Sequence, residues 1–160
     1  MEMRRKDREV RDLQQIYDIL RRCDTITLGM NGGIAPYVIP LTFACSMEEG
    51  KIAVYFHSAK GGRKWEILHR DPHVSVEAHL YYKVVSEVNE KFGSVTAKYE
   101  SVTGTGIAAL VEDHGEKVAA FRLMMGQYQQ SGFPVESCQG MQNCEVFKVV
   151  LTEVCGKRNK

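Results

Sequence analysis

Apolar residues recur at helical spacing in "DLQQIYDILRR", where Leu13, Ile16, Tyr17 and Leu20 share a face and Asp12 stands as a candidate N-cap. The period then drops to two. "TITLGM" alternates Ile26, Leu28 and Met30 and runs into Asn31-Gly32-Gly33, a hairpin signal, after which "YVIPLTFACS" reads as a second strand. Pro40 has no N–H to give a ladder, so that point predicts an edge, a bulge or a stretch kept open for something else. The turn "MEEGK" leads to a third strand, "IAVYFH", and "GRKWEILHR" predicts a short helix stopped by Asp71-Pro72.

Further on, "HVSVEAHL" sets Val74, Val76, Ala78 and Leu80 on one side, whereas residues 81–98 are polar and show no clear period. "YESVTGTGIAALV" predicts a long strand bent at Gly104 or Gly106. Asp113 and Glu116 have capping-box spacing, with Val118, Phe121, Met125 and Tyr128 following on one helical face. "QQSGFPVESCQGMQN" reads as a loop, and "CEVFKVVLTEV" as a closing strand with Phe147, Val149 and Leu151 on one side. The terminal "GKRNK" reads as a solvated tail. Strands joined by short turns, with helices only as occasional covers, predict a mainly β, antiparallel barrel with a few flanking helices. No linker or repeat divides the chain, so one domain over 1–160 is expected, with an N-terminal helix at about 12–22 and a core at about 25–155.

Composition narrows the function. A net charge of +1 offers no global field for nucleic acid or a membrane surface, and neither partner is expected. No apolar run approaches the ~20 residues of a membrane span, and "MEMRRKDREV" lacks the apolar core of a signal peptide. The five cysteines (Cys23, Cys45, Cys138, Cys144, Cys155) are odd in number and irregular in spacing. A cytoplasmic protein with reduced thiols is expected.

Against that neutral background, "VYFHSAKGGRKWEIL" concentrates Lys60, Arg63 and Lys64 around Gly61-Gly62, where a strand hands over to a helix. Glycines there let backbone N–H groups form a concave nest, and the helix start adds partial positive charge. Ser58 offers a hydroxyl, and Arg63 and Lys64 offer charge-assisted donors, a set suited to a phosphate monoester. The plainer reading is a solvated loop whose cations keep the protein soluble. G-x-x-x-x-G-K-[ST] is absent, which argues against a nucleoside triphosphatase.

The order "YVIPLTF", "VYFHSAKGGRK", "DPHVSVEAH", "YESVTGTGIAALVED" resembles the FMN-binding split-barrel proteins related to pyridoxamine 5′-phosphate oxidase. It is most similar to their 5-nitroimidazole-resistance branch, whose members often begin with a "MRRKDRE"-like segment. The resemblance spans about residues 3 to 155. It implies an antiparallel split barrel with FMN lying along two strands. Tyr37, Val38, Ile39, Pro40 and Leu41 would line the isoalloxazine, largely through backbone groups. Phe56, His57 and Ser58 would run beside ring and ribityl chain, and Arg63 and Lys64, with Lys60 as a weaker candidate, would hold the phosphate. The family's cofactor sits at a homodimer interface, and the Ser101 region corresponds to a strand reaching the flavin, often from the partner subunit. Compared with pyridoxamine phosphate oxidase itself, the phosphate loop here is about one residue longer and His57 replaces a small hydroxyl residue. That enzyme's C-terminal Trp and Arg substrate contacts cannot be placed here, the only tryptophan, Trp65, lying elsewhere, which argues against oxidation of pyridoxamine phosphate.

Other motifs carry less. Gly104, Gly106 and Ala109 fit G-x-G-x-x-[GA], but continue as strand rather than opening a helix, and bent-strand glycines are the better account. His69 and His73 are separated by the helix-breaking Asp71-Pro72, so a zinc site with Cys138 and Cys144 is disfavoured. His57 at a strand end reads as a structural histidine; beside a flavin it is the candidate acid–base group. The expected function is an FMN-dependent oxidoreductase passing hydride or electrons to a small acceptor, of nitroimidazole type by the resemblance, with NAD(P)H a candidate donor. Two alternatives stand beside it: a flavin-binding redox module without turnover, and a haem-binding split barrel using His57, His73 or His79 as axial ligand.

Overall fold

The Asp12 carboxylate accepts the Gln15 N–H at 2.8 Å and so starts α1 (Leu13–Leu20), which buries Ile16, Ile19 and Leu20. The computed structural model describes residues 3–88 and 93–160. Among these, the strands are β1 (Glu9–Val10), β2 (Ile26–Met30), β3 (Tyr37–Leu41), β4 (Ala44–Glu48), β5 (Lys51–Ala59), β6 (His73–Val88), β7 (Gly93–Leu110) and β8 (Cys144–Asn159). The remaining helices are α2 (Arg63–Arg70), α3 (His114–Gln127) and α4 (Gln139–Gln142). Every strand pair is antiparallel, in the order β3-β2-β6-β7-β8-β5-β4, with β1 added beside β8. The predicted antiparallel class is the observed one. The sheet is not closed: β3 and β4 end it, and no ladder joins them among the described residues.

The period-2 pattern decides which face goes inside. Ile26, Leu28 and Met30 of β2, Val74, Val76 and Ala78 of β6, Val54 and Phe56 of β5, and Phe147, Val149 and Leu151 of β8 fill one core together with α1. On the other face of β4, β5 and β8, Ala44, Tyr55 and Val146 pack on Ala120 and Met124 of α3. Asp113 caps α3 by accepting the Glu116 N–H at 2.7 Å, as its spacing predicts.

Four readings need correction. "YVIPLTFACS" is two strands: Thr42 and Phe43 carry the chain from β3, paired with β2, to β4, paired with β5. Phe43 anchors that crossing, fully buried and with its N–H donated to the Tyr128 hydroxyl. Residues 81–98, which show no period, extend β6 and β7 into a long ribbon paired as far as Val88 and Gly93, its 89–92 link lying outside the described residues. "GKRNK" is no tail up to Asn159: Lys157 pairs with both Glu9 and Ser101, and Arg158 with Glu100. Within "QQSGFPVESCQGMQN", a 3-10 turn (Val135–Ser137) and α4 bury Val135 and Met141 against Val118 of α3. The bend expected near Gly104 or Gly106 is a register shift between Thr105 and Gly106, where a Cβ on Gly106 would lie 2.6 Å from the Val150 carbonyl oxygen.

Candidate functional site

Among the described residues, two strand edges lack partners where the barrel is split. β3 pairs with β2 on one side only, so Pro40 sits on an edge strand, as its missing N–H requires. β5 loses β4 after Tyr55, which leaves Phe56–Ala59 paired with β8 alone. The chain itself pins these edges together at one end, through the two-residue crossing from Leu41 to Ala44. At the other end Arg63, first residue of α2, lies over the Tyr37 ring at 4.8 Å, and Lys64 donates to the His57 carbonyl at 3.4 Å. Neighbouring cations on α2 thus touch both edges of the gap. Its length is that of β3, about 17 Å for five residues at ~3.4 Å each.

The start of α2 is shaped for an anion. Gly61 and Gly62 have φ of 88° and 84°, the left-handed region where a Cβ is costly. Gly62 is the N-cap, and no side chain caps the helix there, so its first N–H groups have no side-chain acceptor from the cap. Lys60, Arg63 and Lys64 form no ion pair with a carboxylate among the described residues. Lys64 is half-buried over the Phe56 ring, and burial pulls its amine below the usual lysine range. An incoming dianion would relieve that desolvation and supply the acceptors these donors lack.

His57 is exposed by surface area, yet enclosure of its ring and, secondarily, the Lys64 charge push its imidazole below the usual histidine range. It lies on the face opposite Phe56 and Ser58, with the Phe121 ring of α3 at 5.9 Å. That contact joins residues 64 apart in sequence, and no local pattern signals it.

The remaining expected residues fall into three groups. On β3, Tyr37, Ile39 and Leu41 lean on the core while Val38 and Pro40 face outward. Phe56 and Ser58 point inward: the Phe56 ring is stacked on Phe147, and the Ser58 hydroxyl donates to the Ala59 carbonyl, so only their backbones border the gap. Ser101 is not brought to this corner within one chain; it lies mid-β7 between His79 and Lys157, separated from β3 by β6 and β2.

Trp65 is a residue the pattern left aside. Its indole N–H donates to Glu145 and its ring stacks on His69 at 3.9 Å, fixing α2 to β8. The Trp-x-x-x-His spacing on a helix is the one sequence signal for that stack. His69 and His73 therefore have other partners, His73 bonding Asp71, and among the described residues no cluster of three metal-ligating side chains exists. All five cysteines are free, four of them buried. No helix among the described residues is long and apolar enough to cross a membrane.

Comparisons with known proteins agree with this fold. A family model described as "Pyridoxamine 5'-phosphate oxidase" matches residues 12–158. Among solved structures, a candidate 5-nitroimidazole antibiotic resistance protein from Bacteroides thetaiotaomicron is 27% identical, with 93% of this chain and 85% of that chain covered and a TM-score of 0.77. The flavocytochrome Anf3 of Azotobacter vinelandii is 20% identical over 99% of this chain and 72% of that one, with a TM-score of 0.80. An FAD-binding protein from Mesorhizobium loti is 19% identical over 96% and 98%, with a TM-score of 0.66. The last two likenesses speak for the fold alone. Among curated proteins nothing matches.

Proposed function

As the chain belongs to the pyridoxamine 5′-phosphate oxidase family, we propose that it is a cytoplasmic flavoprotein that binds FMN across the split of its barrel. The observation carrying this reading is the convergence of Arg63, Lys64 and the uncapped start of α2 between two unpartnered strand edges. Arg63, Lys64 and the uncapped N–H groups at the start of α2 hold the phosphate, with Lys60 at the rim. The backbone of Tyr37–Leu41 and of Phe56–Ser58 borders the ring system. A monoester phosphate has the charge and acceptor count that this corner lacks; the diphosphate of FAD would need further donors beyond it.

Bound FMN supplies two-electron chemistry at N5, and the chain supplies orientation and a sheltered pocket. The neutral His57 imidazole carries a lone pair able to hold or return a proton within the gap's surroundings. The chain works as a homodimer, with Ser101 delivered to the cofactor of the other protomer. The reaction fitting the 27% identical nitroimidazole-resistance relative is NAD(P)H + H⁺ + R–NO₂ → NAD(P)⁺ + R–NO + H₂O, in which the nicotinamide is oxidised and the nitro group reduced.

Visible spectroscopy and mass spectrometry of the ligand released from purified protein test the reading. Flavin bands with the mass of FMN support it. A Soret band without flavin would assign the gap to haem instead, and FAD would displace the monoester assignment. NAD(P)H oxidation driven by a nitroaromatic acceptor separates an enzyme from a silent flavin module.

A further inference from the structure

α1 and α3 both pack on β4 and leave a groove of about 470 Å³ between them, a size usual for small-molecule sites. Gln127, at the end of α3, donates its side-chain amide to the Leu20, Arg21 and Cys23 carbonyls at 3.2, 3.2 and 3.1 Å. That amide ties the two walls together where both helices end.

α3 presents two faces to the rest of the chain. Ala120 and Met124 pack on the sheet, while Ala119, Leu123 and Gly126, at i, i+4 and i+7, line the groove. Leu123 is 40% exposed there. Glycine within a helix is disfavoured relative to alanine, and nothing in the backbone requires it at 126. Its φ is not in the left-handed region, and a Cβ built on it would meet nothing within 4 Å. What its missing side chain does is leave the groove open.

The charge of the groove has one sign, because two arginines line it and no carboxylate does. Arg122 of α3 pairs with Glu136. Arg21, on the α1 side, has no carboxylate partner among the described residues; the Tyr17 ring, one turn back, lies 6.0 Å from its guanidinium. Cys45 of β4 supplies the buried floor. Burial pushes its thiol up to about 12, with the Arg21 charge opposing, so that charge is felt at the floor.

We propose that this groove binds a small apolar monocarboxylate, its carboxylate on Arg21 and its alkyl or aryl body against Tyr17, Ala119 and Leu123. The chemistry of the walls selects that class. Apolar side chains on both sides suit a hydrocarbon body, and one cation without a carboxylate calls for one negative charge in bidentate reach of a guanidinium. An amine of the same shape would meet two arginines and no acceptor charge. The site is separate from the α2 corner and does not depend on the flavin reading.

An NMR titration of the full isotope-labelled chain, as purified, tests this with octanoate as the probe. The amides of Leu123, Gly126 and Gln127 are expected to shift saturably, with a dissociation constant below about 1 mM for so small a ligand. Arg21→Gln should raise that constant at least about tenfold, the scale of one charge-assisted hydrogen bond. Gly126→Leu should fill the groove and abolish the shifts without lowering the melting temperature, because its side chain enters open space. Arg63→Ala/Lys64→Ala should bind octanoate as the wild type does. Octanol and octylamine should produce no saturable shift at the groove. No saturation by about 5 mM octanoate overturns the proposal, as does an equal response to octanol or an unchanged constant in Arg21→Gln. Shifts confined to α2 would do the same, placing the carboxylate at the phosphate corner. So would groove amides that move with protein concentration alone, which would make the occupant a second copy.

Discussion

Replacing both Arg63 and Lys64 by Ala removes the two side-chain donors at the start of α2 and leaves its backbone N–H groups in place. A hydrogen bond to a charged group contributes about 1.5–3 kcal/mol, so two give about 3–6 kcal/mol before corrections. Arg63 is exposed and its pairing is screened by solvent, which places the expected loss at the lower end, about 3–4 kcal/mol. At 1.4 kcal/mol per decade that is about a hundred-and-forty- to seven-hundredfold in Kd. Titrating apoprotein with FMN and with riboflavin, read by quenching of flavin fluorescence, isolates the phosphate. Wild type should prefer FMN by at least a factor of this size, and the double variant should lose that much of the preference while binding riboflavin as the wild type does. Neither side chain belongs to the core, so the melting temperature should move by only a degree or two. An unchanged FMN Kd, or equal losses for FMN and riboflavin, would refute the phosphate assignment.

Three further outcomes are expected. Gly62→Ala puts a Cβ at φ 84°, costing about 1–2 kcal/mol of stability and weakening FMN more than riboflavin, as thermal melts and the same titrations would show. The folded pKa of His57 lies below 6.5, so the unfolded chain binds more protons as pH falls through that value and stability drops there. NMR titration of the imidazole should find it below 6.5, and Lys64→Met should raise it only part of the way, because burial is the larger cause; no movement would remove the Lys64 contribution. At Glu100, burial pushes the carboxyl up, but hydrogen bonds from Arg22, Tyr82 and Arg158 outweigh it and hold the pKa at about 2. Its stabilisation is therefore complete above pH 4.5 and lost toward pH 2. Glu100→Gln should cost about 3–5 kcal/mol at pH 7 and flatten the acid limb of stability between pH 4.5 and 2; a melting temperature within a degree of wild type would contradict the clamp.

What the sequence made legible was local. Period and caps located α1, α2, α3 and the inward residues of β2, β6 and β8, because those depend on neighbours within one turn or one pleat. The glycine pair and its cations pointed to the α2 corner for the same reason. Long-range partners were not legible. Nothing near Arg63 announces Tyr37, since their contact depends on the two ends of an eight-stranded sheet meeting. Nothing in "GKRNK" announces a strand, because Arg158 is fixed there by Glu100, 58 residues earlier. The aperiodic 81–98 stretch has the same origin: the register shift at Tyr81/Lys83 breaks the alternation, and the ribbon beyond it has no core of this chain to face. Ser58 shows the converse limit. Its residue type suited a phosphate, but strand alternation turned its hydroxyl inward.

The account's central claim is that a dianionic phosphate is held where α2 begins. A crystal structure of the protein loaded with FMN tests it most directly. The account predicts the phosphate within about 2.7–3.2 Å of the first N–H groups of α2 and of the Arg63 and Lys64 side chains. A phosphate bound elsewhere, with that corner facing only water, would contradict it.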